Sequence, residues 1–89
     1  MQPLESQVLW ESQPVFLTCN VSGRPSPSVS WTKNGEDLVP SSRVDVRGRE
    51  LHIARASVSD SGVYQCLAEN IAGGVALAAR VAVHMPGKS

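Results

Sequence analysis

A surplus of charge is the first thing missing from this 89-residue chain, in which eight Lys and Arg stand against eight Asp and Glu for a formal charge of zero. Binding by neutralising nucleic-acid phosphates needs an excess of cations, so no nucleic-acid partner is expected. Long hydrophobic runs are missing too. No stretch approaches the ~20 apolar residues of a membrane-spanning helix, and direct membrane insertion is not expected. The N-terminus lacks the basic region and apolar stretch of a secretory signal, so any such address is expected elsewhere in a longer parent chain. Aromatic residues are scarce, with two Trp, one Tyr and one Phe, and there are two cysteines. A chain of this size holds one small core and has no room for a second.

The residues of catalysis are present without their patterns. Twelve serines, three aspartates and two histidines occur without the G-x-S-x-G elbow that would present a nucleophile. His52 alternates with Leu51 and Ile53 and is expected to face solvent, and His84 closes the last apolar segment. No C-x-x-C or H-x-x-x-H spacing offers a metal its ligands. Gly87-Lys88-Ser89 lacks the upstream glycine of a phosphate-binding loop. Glu36-Asp37 reads as a solvated turn. No enzyme, metal or cofactor is expected.

What is present is a hydrophobic period of two. Val15, Leu17, Cys19 and Val21 alternate with Phe16, Thr18 and Asn20, which puts the first set on the buried face of a strand. The alternation recurs at Val29–Trp31, Val44–Val46, Leu51–Ile53, Tyr64–Ala68 and Val75–Val83. A leading strand near Gln7–Glu11 brings the count to seven or eight. Between these segments lie turn residues at 23–27, Asn34-Gly35, 40–42, Gly48, 60–62 and Gly73-Gly74. Strands at regular spacing without helical periodicity predict an all-β sandwich or barrel over residues 7–84, flanked by linkers at 1–6 and 85–89.

Cys19, Trp31 and Cys66 fall on inward registers of three strands, and Tyr64 stands two residues before the second cysteine. This arrangement resembles the immunoglobulin fold. Gly23-x-Pro25-x-Pro27-x-Val29-x-Trp31 is similar to the I-set, or intermediate, branch of that family. So is Leu51-x-Ile53 followed by Asp60-x-Gly62-x-Tyr64-x-Cys66-x-Ala68-x-Asn70-x-x-Gly73. The resemblance covers most of the chain from Val15 to Val83 and implies two antiparallel sheets joined by a Cys19–Cys66 disulfide. It implies a signature core of Trp31, Leu51 and Tyr64, with the Tyr64 hydroxyl returning to backbone near Asp60. It also implies an ion pair between Arg43 and Asp60. One departure is Glu11-Ser12-Gln13-Pro14, where the family has Glu-Gly: serine resists the positive φ that glycine allows.

The resemblance further implies a noncatalytic recognition or adhesion module. It would stand among tandem immunoglobulin or fibronectin-type domains in an extracellular receptor or matrix protein. A spacer in a titin-like intracellular muscle or cytoskeletal protein is the alternative, and the redox state of the cysteines separates the two. Asn20-Val21-Ser22 is an N-glycosylation sequon on the outward register. The strands bearing Ser30, Thr32, Gln65, Leu67, Ala76, Ala78, Arg80 and Ala82 should expose a flat, charge-poor face, the composition of an interface centre. Arg24, Arg43, Arg47, Arg49 and Arg55 are a weaker candidate for glycosaminoglycan binding, interrupted by Asp45 and Glu50. Trp10 is expected to cap the edge of the core rather than to stand out as an anchor.

Overall fold

The computed structural model describes residues 6–21, 23, 26–38, 40–42 and 44–85. Each apolar alternation falls on a strand, although the strand from Val15 ends at Thr18, short of Cys19 and Val21: β1 (Gln7–Trp10), β2 (Val15–Thr18), β3 (Ser28–Lys33), β4 (Glu36–Asp37), β5 (Val44–Arg47), β6 (Glu50–Ile53), β7 (Gly62–Asn70) and β8 (Gly73–His84). They form a five-stranded sheet in the order β1-β8-β7-β3-β4 and a three-stranded sheet in the order β2-β6-β5. β1 runs parallel to β8, pairing Gln7 with Val81 and Trp10 with His84, while every other pairing is antiparallel.

The turns show why the chain reverses where it does. Asn34 and Gly35, at φ 53° and 86°, form the two-residue loop between β3 and β4. A hairpin this tight needs positive φ at both positions, which Asn and Gly supply most readily. Glu36-Asp37 is therefore a strand after this turn and not the turn itself. The last hairpin also differs from expectation. Gly73 and Gly74 belong to β8, and the reversal lies at Ile71-Ala72, where the Asn70 side chain accepts from the Ala72 amide at 2.8 Å.

The inward residues of both sheets meet in one core. Val15, Leu17, Cys19, Val21, Trp31, Leu51, Ile53, Tyr64, Cys66, Ala68, Val81 and Val83 are all buried there. Burying each large aliphatic side chain contributes ~1.5–3 kcal/mol. Cys19 and Cys66 are bridged across the sheets with a Cα–Cα distance of 6.2 Å. Trp31 lies opposite Cys66 on the neighbouring strand, and its indole N–H donates to the Gly48 carbonyl at 2.9 Å, tying the five-stranded sheet to the β5–β6 turn of the other.

Two expectations are corrected at the lower edge. Leu9, not Trp10, packs against the core, and Trp10 is 54% exposed, its ring edge-on to His84 at 6.1 Å. Ser12 does adopt the positive φ, at 75°. The turn keeps its shape because the Ser12 amide donates to the Ala56 carbonyl, the Ala56 amide to the Gln13 carbonyl and the Trp10 amide to the Gln13 side chain.

Candidate functional site

The corner before β7 is built by Asp60. A single 3-10 turn, Val58–Asp60, ends on this buried residue, whose carboxylate accepts from the Ser57 amide at 2.7 Å. Its carbonyl accepts from the Tyr64 hydroxyl, also at 2.7 Å. Tyr64 is almost wholly enclosed, so its hydroxyl needs this partner, since a buried polar group left unpaired is expensive. Lys33 closes the corner from outside, donating to the Ser59 carbonyl at 2.6 Å with its ammonium 6.0 Å from the centre of the Tyr64 ring. Arg43, the residue expected to pair with Asp60, lies outside the described residues. Leu51, the third signature residue, is buried on β6 between Leu17 and Val46.

The outward face of the five-stranded sheet carries the candidate interface in two cross-strand rows. One is Ser30–Leu67–Ala76 and the next Thr32–Gln65–Ala78. Across β3, β7 and β8 neither contains a charge, and Asp37 of β4 continues the second row beyond Thr32. Arg80 stands exposed beyond the second row, opposite Val63. Leu67 is 38% exposed, whereas Thr32 and Ala82 are half-buried, a correction to their expected openness. Thr32 sits between Asp37 and Gln65, and its Oγ1 is enclosed without a hydrogen-bond partner among the described residues. Val8 and Trp10 extend this face along β1 as exposed apolar side chains. The sequence had no means of joining them to it, because four residues of alternating pattern do not say which sheet they enter.

The opposite sheet is different in kind. Phe16 is 60% exposed and stacks on His52, with ring centres 4.3 Å apart and planes within 7°. His52, expected in solvent, is thereby half-covered. Asp45 follows in the same row, and Thr18–Glu50–Arg47 form the next. Arg47 binds Asp45 at 2.8 Å, which uses up one of the five arginines considered for a sulfated polysaccharide. Arg49 and Arg55 are exposed at separate turns, and Arg24 and Arg43 fall outside the described residues. Among the described residues, no three His, Cys, Asp or Glu side chains gather as a metal site.

The family model of the immunoglobulin I-set domain matches residues 1–83. The chain belongs to the immunoglobulin I-set family. This I-set domain is 39% identical to rat (Rattus norvegicus) Contactin-5 over 83 residues, which is 93% of this chain and 8% of that protein. It is 42% identical to the human (Homo sapiens) netrin receptor DCC over 78 residues, 86% of this chain and 5% of that protein. Hemicentin-1 of Mus musculus is 46% identical over 72 residues, 79% of this chain and 1% of that protein. The I-set domain thus spans under a tenth of each of these relatives. Among solved structures it is similar to the complex of titin M10 with an obscurin-like 1 immunoglobulin domain. The TM-score there is 0.89 at 33% identity, over 99% of this chain and 94% of that one. The tandem immunoglobulin repeats of Dlar match with a TM-score of 0.85 at 28% identity, over 94% of this chain and 46% of that one.

Proposed function

We propose that this I-set domain is a noncatalytic protein-recognition module of an extracellular adhesion, receptor or matrix glycoprotein. Its partner, homophilic or heterophilic, would dock on the outward face of β3, β7 and β8. The observation that carries the reading is the pair of charge-free rows across that face, since charge depletion marks the core of protein interfaces. Relatives named as contactins and as a netrin receptor support it. So does a fold neighbour solved as a complex that includes an immunoglobulin domain.

The test is to display the domain in clustered form, because tandem modules act by avidity. Binding is then measured to itself and to a set of extracellular immunoglobulin and fibronectin-type domains. Leu67→Arg and Ala78→Glu should abolish association while leaving the melting temperature nearly unchanged, and Arg49→Glu should alter neither association nor melting temperature. Association that survives both face substitutions overturns the assignment of the face.

A second reading, a spacer in a titin-like intracellular filament, is favoured by the likeness to titin M10 and M3, the latter with a TM-score of 0.85 at 30% identity. Thiol titration of the protein from its native source separates the two, since a reducing compartment would leave Cys19 and Cys66 as thiols.

A further inference from the structure

Phe16 has no role in the core. Its strand buries Val15 and Leu17, and the phenyl ring lies on the outer surface with 60% of its area exposed. The surface around it is a shallow open groove of about 500 Å³, lined by Phe16, Thr18, Asp45, Arg47, Glu50 and His52. Phe16 and His52, stacked on one another, stand among carboxylates, a guanidinium and a hydroxyl. A pyranose ring is complementary to such a surface: its C–H face lies on an aromatic ring while its hydroxyl rim meets charged and polar groups.

An anchor lies just past the end of β2. Asn20 is exposed between buried Cys19 and Val21. The Val21 amide donates to the Cys19 carbonyl at 3.1 Å, closing a tight turn centred on Asn20. With Ser22 two residues on, Asn20 is a sequon asparagine. Phe16 is four residues back, at most ~14 Å along the chain, with exposed Thr18 between them.

We propose that Asn20 carries an N-linked glycan whose first sugar rings fold back along β2 and pack on Phe16 and His52. In the transfer, a bond forms between Asn20 Nδ2 and the anomeric carbon of N-acetylglucosamine. The bond from that carbon to a lipid diphosphate donor breaks. The diphosphate leaves with the electron pair, and the amide gives up one proton. Packing the sugar over Phe16 removes apolar surface from water on the face away from β3, β7 and β8. This inference rests on the reading of the module as one that passes through the secretory pathway.

The full chain, secreted from mammalian cells behind a cleavable signal, is compared with its Asn20→Gln form, each also in a Phe16→Thr background. Mass spectrometry should find hexose and N-acetylhexosamine on Asn20. The glycan should raise the melting temperature by roughly 4 °C, an increment at least halved in Phe16→Thr, since coupled groups are non-additive. Nuclear Overhauser cross-peaks should join the Phe16 ring protons to those of N-acetylglucosamine. Secreted protein bare at Asn20 overturns the proposal, as does an increment equal in both backgrounds without cross-peaks. If Phe16→Thr is not secreted, the wild-type cross-peaks and His52→Thr decide. Failure of the extracellular reading would show instead as free thiols in the native source, independently of these outcomes.

Discussion

Asn34 and Val63 are joined twice: the Asn34 amide donates to the Val63 carbonyl at 2.8 Å, and the Asn34 side-chain oxygen accepts from the Val63 amide at 2.9 Å. One residue thus holds a left-handed backbone conformation and fastens the β3–β4 turn to the start of β7. Asn34→Ala removes the acceptor and leaves alanine at positive φ, so a loss of ~1–3 kcal/mol is expected in urea denaturation. Asn34→Gly keeps the conformation accessible and should lose less. Equal losses would mean that the lost side-chain acceptor, not the backbone conformation, sets the cost.

Ser12 is the opposite case, a residue held at φ 75° whose side chain does not require it. Ser12→Gly should stabilise by ~1 kcal/mol, because the left-handed region costs an L-residue about that much. The denaturation midpoint should rise with an unchanged slope.

Tyr64→Phe leaves the ring in place and removes the hydroxyl that donates to the Asp60 carbonyl. The expected loss is ~1–2 kcal/mol, the effect of leaving a buried acceptor unpaired. Asp60→Ala, which deprives the Ser57 amide of its acceptor, should cost ~1–3 kcal/mol. Glu36→Ala, at an exposed position, should cost almost nothing. A Tyr64→Phe midpoint equal to that of the unaltered chain would show the corner to be held by packing alone.

Unreduced, denatured protein folded under oxidising conditions should contain no titratable thiol. Reduction should lower stability by ~2–5 kcal/mol, since a bridge across 47 residues strongly restricts the unfolded chain. Equal unfolding midpoints with and without reductant would contradict this.

The parity of Val15, Leu17, Cys19 and Val21 was plain in the sequence because one side of β2 and of the residues just past it is buried and the other is not. Trp10 was not readable in the same way. Counting back from Cys19 passes through Ser12, whose left-handed turn breaks the period of two, so the count does not say which of Leu9 and Trp10 faces inward. The pairing of β1 with β8 is equally hidden, since a parallel neighbour distant in sequence leaves no trace in four residues. Thr32 was expected in the open because its register is outward, but register does not reveal how closely Gln65 and Asp37 crowd it. The stacking of Phe16 on His52 depends on β2 and β6 being neighbours, which neither segment states alone.

The parallel ladder of β1 and β8 also fixes how this domain would answer tension. Load entering at Gln7 and leaving at His84 acts on opposite ends of the same four residue pairs, so the backbone hydrogen bonds between them bear it together and are not peeled apart in turn. Should they yield, the Cys19–Cys66 bond still shorts the chain across 47 residues, withholding about 160 Å of contour length. In its bridged form the domain can release only the residues outside the bridge, and reduction adds the 47-residue separation between the cysteines.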